Sequence, residues 1–323
     1  MKEHEASTDA VARPTTPATP ATALVLGEAL VDLLPGDDAS PGGRALPGGS
    51  PMNVAVGLAR LGHRSLLAAR LADDELGRLV LAHLDESGVS LVEGALDGQR
   101  TSTAKATLDE HGSASYEFDL DFSLPTPSLD GVDVVHTGSI GAVVEPGAAV
   151  VRAAFAEARD RGGVLTSYDP NVRAAIMGER DVVRGRVEEL VALSDVVKLS
   201  DEDAEWLYPN TTPSEVLSRF VDLGARLAVM TRGGHGAMAR TATREVSVQA
   251  PAVRVVDTVG AGDAFMSGLL HAVSSPSTRA TILSGEADDR WVDAALATAA
   301  RSAAVTVARA GANPPWPGEL AGE

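Results

Sequence analysis

The chain is 323 residues long, 44% hydrophobic and 3% aromatic, with a formal net charge of −18. Such a length buries a sizeable core in one large domain or two moderate ones, packed on Ala, Val and Leu in place of rings. The charge argues against nucleic-acid backbones and anionic membranes as partners, so any phosphate ligand is held by local dipoles and metal ions against the overall field.

Residues 1–22 are rich in Ala, Thr and Pro and lack an apolar h-region, which predicts a flexible tail and not a signal peptide. No apolar run reaches the roughly 18 residues of a membrane span. Cysteines are absent and the His residues lack zinc-ligand spacing, so a soluble cytoplasmic protein without thiolate or zinc sites is expected. Ala23–Leu34 begins as a buried strand and passes through Gly27 into a second extended run. Asp32 interrupts the apolar pattern there; taken alone it reads as a surface residue or turn former. Pro35–Pro47 reads as a loop. Behind Gly48 and Gly49, the spacing of Val54, Leu58 and Leu61 predicts a helix with Gly62 at its C-cap. The glycine pair allows close approach of a ligand or tight helix–sheet packing. Asn53 falls on the first turn with its amide free to hydrogen-bond. Leu66–Arg70 reads as a strand, and Leu76–Leu84 as a helix behind a dipole-matched acidic start.

From Thr101 to Phe122 polar and apolar residues alternate around a turn at Asp109–Gly112. This predicts an antiparallel hairpin outside the main sheet, either a flap over a cleft or a surface hairpin with no role. After Pro125 the βα rhythm returns. Strands are expected over 132–136, 164–168, 195–199 and 227–231. Helices are expected over 146–161 and 181–193, with another opened by Ser200-Asp201-Glu202-Asp203. At least six alternations imply an α/β fold with a doubly wound, mostly parallel sheet and helices on both faces. The main body is expected over 23–34, 49–96 and 126–317, and a small β lid over 35–48 and 97–125. Ligands of such sheets sit beyond the C-terminal strand ends, where Asp32, Asp169, Arg173, Asp203, Gly233 and the Gly260 loop fall.

The stretch from Val255 to Phe265 carries the chemistry. Val253, Val255 and Val256 predict a strand, Gly260 and Gly262 break it, and a helix follows from near Asp263 to Val273. Unpaired amides of Gly260 to Asp263 would attract anionic oxygens. Asp263 itself reads as a helix cap or as a general base beside that anion pocket. The second pairing suits phosphoryl transfer to a hydroxyl. A dinucleotide fingerprint fits poorly, because Phe265 stands where its third Gly belongs and the motif comes late in the chain.

Gly48-Gly49-Ser50-Pro51-Met52-Asn53-Val54-Ala55 and Asp257-Thr258-Val259-Gly260-Ala261-Gly262-Asp263-Ala264-Phe265 resemble the two signatures of the PfkB family of ribokinase/fructokinase-type sugar kinases. The likeness spans about Ala23 to Pro317. It implies a ribokinase-like fold and transfer of the ATP γ-phosphoryl group to a sugar. Asp263 would be the base, and Gly260, Ala261 and Gly262 the anion hole. Asp32, Gly48, Gly49 and Asn53 would hold the sugar, under a lid through which two copies pair.

Glu28–Asp32 and Asp169–Arg173 look most like the fructokinase branch, which implies fructose as acceptor and Arg173 as a substrate contact or transition-state cation. 2-Keto-3-deoxygluconate, ribose and a nucleoside are the other acceptors, and a non-catalytic sugar sensor is the alternative outside enzymes. Lys198–Asp203 occupies the place of the family's Asn-x-x-Glu element, which organises Mg2+ and phosphates through water. Ser200 replaces its Asn and Asp203 its Glu, which leaves the metal between Glu202 and Asp203. Thr231–Gly236 resembles the nucleotide loop, so ATP is expected against Lys198, Ser200, Thr231, Gly233, Gly236, Gly262 and Asn313. Asp257 with carbonyls around Arg309 to Gly311 would fit a K+ site, although Pro315 stands where some members have a Ser ligand.

Overall fold

Strands covered on both faces must be apolar at successive positions, and the central strands of this chain are. In Thr22–Leu26 (β1), Ala23 and Val25 pack into one core layer, and Leu24 and Leu26 into the other. The computed structural model describes residues 20–36, 42–108, 114–286 and 288–321. Most of the expected tail, part of the 35–47 segment and the hairpin turn at Asp109–Gly112 lie outside the described residues.

After β1 come Leu30–Leu34 (β2), Arg44–Gly48 (β3), Ser50–Arg60 (α1), Arg64–Ala68 (β4), Glu75–Ser87 (α2), Val89–Leu91 (β5), Ser102–Leu108 (β6) and Ala114–Asp119 (β7). The βα series continues with Val134–Gly138 (β8), Ser139–Val143 (α3), Gly147–Arg161 (α4), Leu165–Asp169 (β9), Ala174–Met177 (α5) and Arg180–Val191 (α6). Val196–Ser200 (β10), Asp201–Leu207 (α7), Pro213–Leu223 (α8) and Leu227–Thr231 (β11) follow. The chain closes with Ala237–Arg240 (β12), Glu245–Val248 (β13), Ala261–Val273 (α9), Pro276–Ser284 (α10), Trp291–Val307 (α11) and Pro317–Ala321 (α12).

The main sheet has the order β13-β12-β11-β10-β9-β8-β1-β4-β5. Only β12 and β13 join it antiparallel, so the expected mostly parallel sheet is present. Helices α1, α2 and α9 to α11 cover one face, and α3 to α8 the other. The winding runs from β1 outward through β4 and β5, then restarts at β8 in the opposite direction. That reversal opens a crevice at the C-terminal ends of β1 and β8, the usual ligand position of such sheets. Among the described residues no helix is long and apolar enough to cross a membrane.

A second sheet of order β3-β2-β6-β7 contains the expected hairpin as β6 and β7. Two expectations are corrected here. Residues 30–34, assigned to the main body, pair in the small sheet as β2. Arg44–Gly48, which lies in the segment expected in the lid and reads as loop up to Pro47, is its edge strand β3. Pro47 hid that strand, because proline is excluded from central strands but tolerated at an edge.

The strand expected at Val253–Val256 does not form. Val255 is 60% exposed, and the main-chain tie of Val256 is a single N–H donated to Val307 O at 2.7 Å. β-Branched residues favour a pleated, half-buried surface, and among the described residues no neighbouring strand supplies one here.

Candidate active site

Gly260 caps α9 at φ +73, a backbone conformation costly for any residue with a Cβ. The helix starts at Ala261 and not near Asp263, which makes Asp263 its third residue. The cap reading is therefore set aside: the Asp263 carboxylate serves a neighbouring helix. Oδ1 accepts the Ser50 hydroxyl at 2.7 Å, and Oδ2 accepts the Asn53 side-chain amide at 2.8 Å. Both donors sit in the first turn of α1. Of the amides expected to form an anion hole, one is already bonded within the turn. Ala261 N–H turns back onto Thr258 O at 3.2 Å, whereas the amides of Gly260, Gly262 and Asp263 have no acceptor among the described residues.

Under this turn lies a buried ion pair. Lys198 Nζ, from β10, stands 2.9 Å from Oδ2 of Asp169 at the end of β9. A Cβ on Gly262 would fall 3.4 Å from that Nζ, which puts the ammonium against the first turn of α9. Burial pushes Asp169 up to about 6, with the Lys198 charge opposing. For Lys198 burial works against the charge, but the carboxylates of Asp169, Asp203 and Asp263 outweigh it and raise the ammonium above its ordinary value. Beneath them His136, whose Nδ1 meets Ser167 Oγ at 3.1 Å, is driven down to about 3 by burial and by Lys198. It is a neutral imidazole.

Asp32, expected to hold sugar, lies inside β2, opposite Leu46 and Ala104, and not past a main-sheet strand end. Its carboxylate covers Gly48, where a Cβ would fall 2.3 Å from Oδ2. Gly49, at φ +112, would bring a Cβ to 2.6 Å from Glu28 O. Close packing at the entry to α1 therefore already requires both glycines. Burial raises the Asp32 carboxyl and Arg173 opposes. Glu28 is raised by burial against hydrogen bonds from Ser139 and the Gly141 amide, with Arg173 a lesser opposing charge. Arg173 is exposed, its guanidinium on Val172 O at 3.1 Å, so one cation faces two half-buried carboxylates.

At the next strand end Ser200 and Asp203 form a reciprocal capping box on α7. Asp203 Oδ1 also accepts Val172 N–H at 2.7 Å, so both its oxygens serve amides, while Glu202 is exposed. Thr231 Oγ1 bonds Leu199 O at 3.4 Å. Gly233 opens onto free space, whereas Gly236 is wedged against Val248 O. Asp257 accepts Val259 N–H at 3.0 Å and Gly311 N–H at 2.8 Å, bonds that hold its carboxyl below the ordinary value. Arg309 Nε donates to Asn313 O at 2.8 Å, and the Gly311 carbonyl accepts Asn313 N–H. Asn313, expected to touch nucleotide, accepts a hydrogen bond from Arg60 at the end of α1 through its side-chain oxygen. Among the described residues no group of three or more His, Asp or Glu converges as a metal site.

The structure thus joins Asn53, Asp169, Lys198, Gly262 and Asp263, and adds Ser50 and His136. Ser50 and His136 lacked a sequence signal, being ordinary polar residues beside glycine and in a buried strand.

A carboxylate beside helix amides without acceptors suits transfer of an anionic group to a hydroxyl. This chain belongs to the pfkB family carbohydrate kinases, whose family model it matches over residues 21–318. It is 36% identical to the fructokinase of Klebsiella pneumoniae over 266 residues, spanning 78% of this chain and 84% of that protein. The crystal structure of Vibrio cholerae O395 fructokinase with fructose, ADP and calcium ion bound has a TM-score of 0.73 at 32% identity, covering 90% of this chain and 94% of that one. The Salmonella enterica aminoimidazole riboside kinase, complexed with aminoimidazole riboside and an ATP analogue, has a TM-score of 0.76 at 27% identity, covering 93% of this chain and 98% of that one.

Proposed function

We propose that this chain is a fructokinase that transfers the γ-phosphoryl group of ATP to a fructose hydroxyl. One observation carries the chemistry: Asp263 is held by Ser50 and Asn53 in the first turn of α9, beside amides without acceptors. Similarity to fructokinases supports the acceptor.

In this reading Asp263 takes the proton of the sugar hydroxyl as that oxygen bonds to the γ-phosphorus. The bond from phosphorus to the β–γ bridging oxygen breaks and ADP leaves. General-base assistance of this kind is worth ~10²–10⁴-fold. The amides of Gly260, Gly262 and Asp263 and the Lys198 ammonium stabilise the charge developing on phosphate. Asp32, Gly48, Gly49 and Asn53 line the sugar, and Arg173 approaches it from the β9 loop. Ser200, Thr231, Gly233 and Gly236 border the nucleotide.

Magnesium fits the donors present, since exposed Glu202 and the remaining lone pairs of Asp203 are oxygen donors that a hard cation takes through water. When bound it supplies neutralisation of phosphate charge. A potassium ion at Asp257 and the carbonyls of Arg309 and Gly311 would join a segment already closed by its own hydrogen bonds. The enzyme so read is cytoplasmic and pairs through its small sheets, a dimer that light scattering would detect.

The test is ATP consumption with fructose, ribose, 2-keto-3-deoxygluconate and aminoimidazole riboside in parallel. Fructose is expected to give the highest kcat/KM. A folded enzyme preferring another acceptor refutes the fructose assignment, and one inert toward all of them refutes the kinase reading.

A further inference from the structure

Helix α1 holds the Asp263 turn from its N-terminal end through Ser50 and Asn53. Its last residue, about 15 Å away at the rise of an α-helix, is the half-buried Arg60. Arg60 Nε donates to Ser87 Oγ at 3.2 Å. The same guanidinium donates to Pro314 O at 3.0 Å and to the Asn313 side-chain oxygen. Its central carbon stands 5.2 Å from the Trp316 ring centre.

Three of these partners belong to the strap that joins α11 to α12, and the strap backs the phosphate loop. Ala312 occupies the space in which a Cβ on Gly260 would fall, 2.5 Å from the Ala312 Cβ. Gly311 N–H binds the Asp257 carboxylate at 2.8 Å. Pro314 lies against Gly57 of α1, 3.5 Å from where a Cβ would stand. Burial and the nearby Arg309 both lower the Arg60 guanidinium, with the Glu319 and Glu86 carboxylates opposing.

We propose that Arg60 is a positioning residue for the phosphate loop: by pinning Asn313 and Pro314 it presses Ala312 against Gly260 and fixes the direction of the α9 amides. One helix then sets both the Asp263 carboxylate and the amides beside it. The inference rests on the kinase reading and extends it to nucleotide handling. A lysine could not replace the arginine, because one ammonium lacks the planar fork that reaches Ser87, Asn313 and Pro314 while stacking on Trp316.

The experiment compares Arg60→Met and Arg60→Lys with the unaltered enzyme in steady-state kinetics and amide hydrogen exchange. Arg60→Met is expected to lower kcat/KM for ATP about tenfold or more, leave KM for fructose within about twofold, and speed exchange over 257–262. Arg60→Lys should fall between the two. A lower melting temperature with unchanged ATP kinetics and unchanged exchange over 257–262 would mean a merely structural role and overturn the proposal. Should Arg60→Met not fold, Asn313→Ala removes one strap bond and must show the same pattern at about threefold; its absence would likewise refute the role. An unaltered enzyme inert toward every sugar would defeat the kinase reading, yet the exchange comparison would still decide whether Arg60 orders the loop.

Discussion

Gly260→Ala puts the packing behind the anion site to a quantitative test. Two separate costs can be read from the structure. The residue sits at φ +73, and a left-handed conformation costs an ordinary side chain about 1–2 kcal/mol. The new methyl would also stand 2.5 Å from the Ala312 Cβ and 2.7 Å from its Cα, a backbone contact that cannot rotate away. Overpacking of that kind costs about 1–3 kcal/mol. The variant should therefore lose about 2–5 kcal/mol of unfolding free energy in urea titrations. Turnover should fall by about 10²–10³-fold if the displaced backbone withdraws one phosphate donor. Ala312→Gly removes the Cβ share of the second cost. In a double-mutant cycle the pair should recover at most about 1–3 kcal/mol and leave the contact with the residue 312 Cα and the left-handed cost in place. A Gly260→Ala protein of unchanged stability, or a cycle with no coupling, would refute the reasoning.

Lys198→Met leaves Asp169 buried without its counter-ion, which should destabilise by about 3–5 kcal/mol at pH 8. The penalty should shrink at pH 5, where a carboxyl raised to about 6 is protonated; equal penalties at both pH values would contradict the pairing. His63 gives a second pH signature. Its Nδ1 accepts Ala21 N–H at 3.1 Å and its Nε2 meets His271 at 2.9 Å, and burial holds it down to about 4 from an ordinary 6.5. The native state thus binds one proton fewer than the unfolded chain between those values. Its contribution is present above pH 6.5 and is lost as pH falls toward 4, by about 3.5 kcal/mol at ~1.4 kcal/mol per unit. Urea midpoints of His63→Gln should be less steep over this window by one proton; a parallel slope would refute the assignment.

The glycine-marked turns were legible in the sequence because their chemistry depends on spacing. Gly260, Gly262 and Asp263 announce a helix entry wherever they fall, and Asn53 follows the Gly48-Gly49 pair in the same way. Partners set by tertiary contact were not legible. Lys198 and Asp169 meet because β10 lies beside β9 and both end at the same edge of the sheet, which neither local sequence states. The Arg60–Asn313 bond was likewise hidden, because Arg60 reaches it across from α1, 253 residues earlier in the chain. Val255 and Val256 show the opposite failure, strong strand formers left without a neighbouring strand. The low aromatic content has its counterpart in close helix packing: a Cβ on Gly57 of α1 would fall 2.3 Å from Ser267 Oγ of α9, so small residues let these helices touch.

The central claim is that Asp263 accepts the sugar hydroxyl proton. Turnover and fructose affinity of Asp263→Ala, measured on the same folded preparation, test it most directly. The account predicts kcat reduced by at least ~10²–10⁴-fold with the dissociation constant for fructose little changed. Near-normal turnover would contradict it.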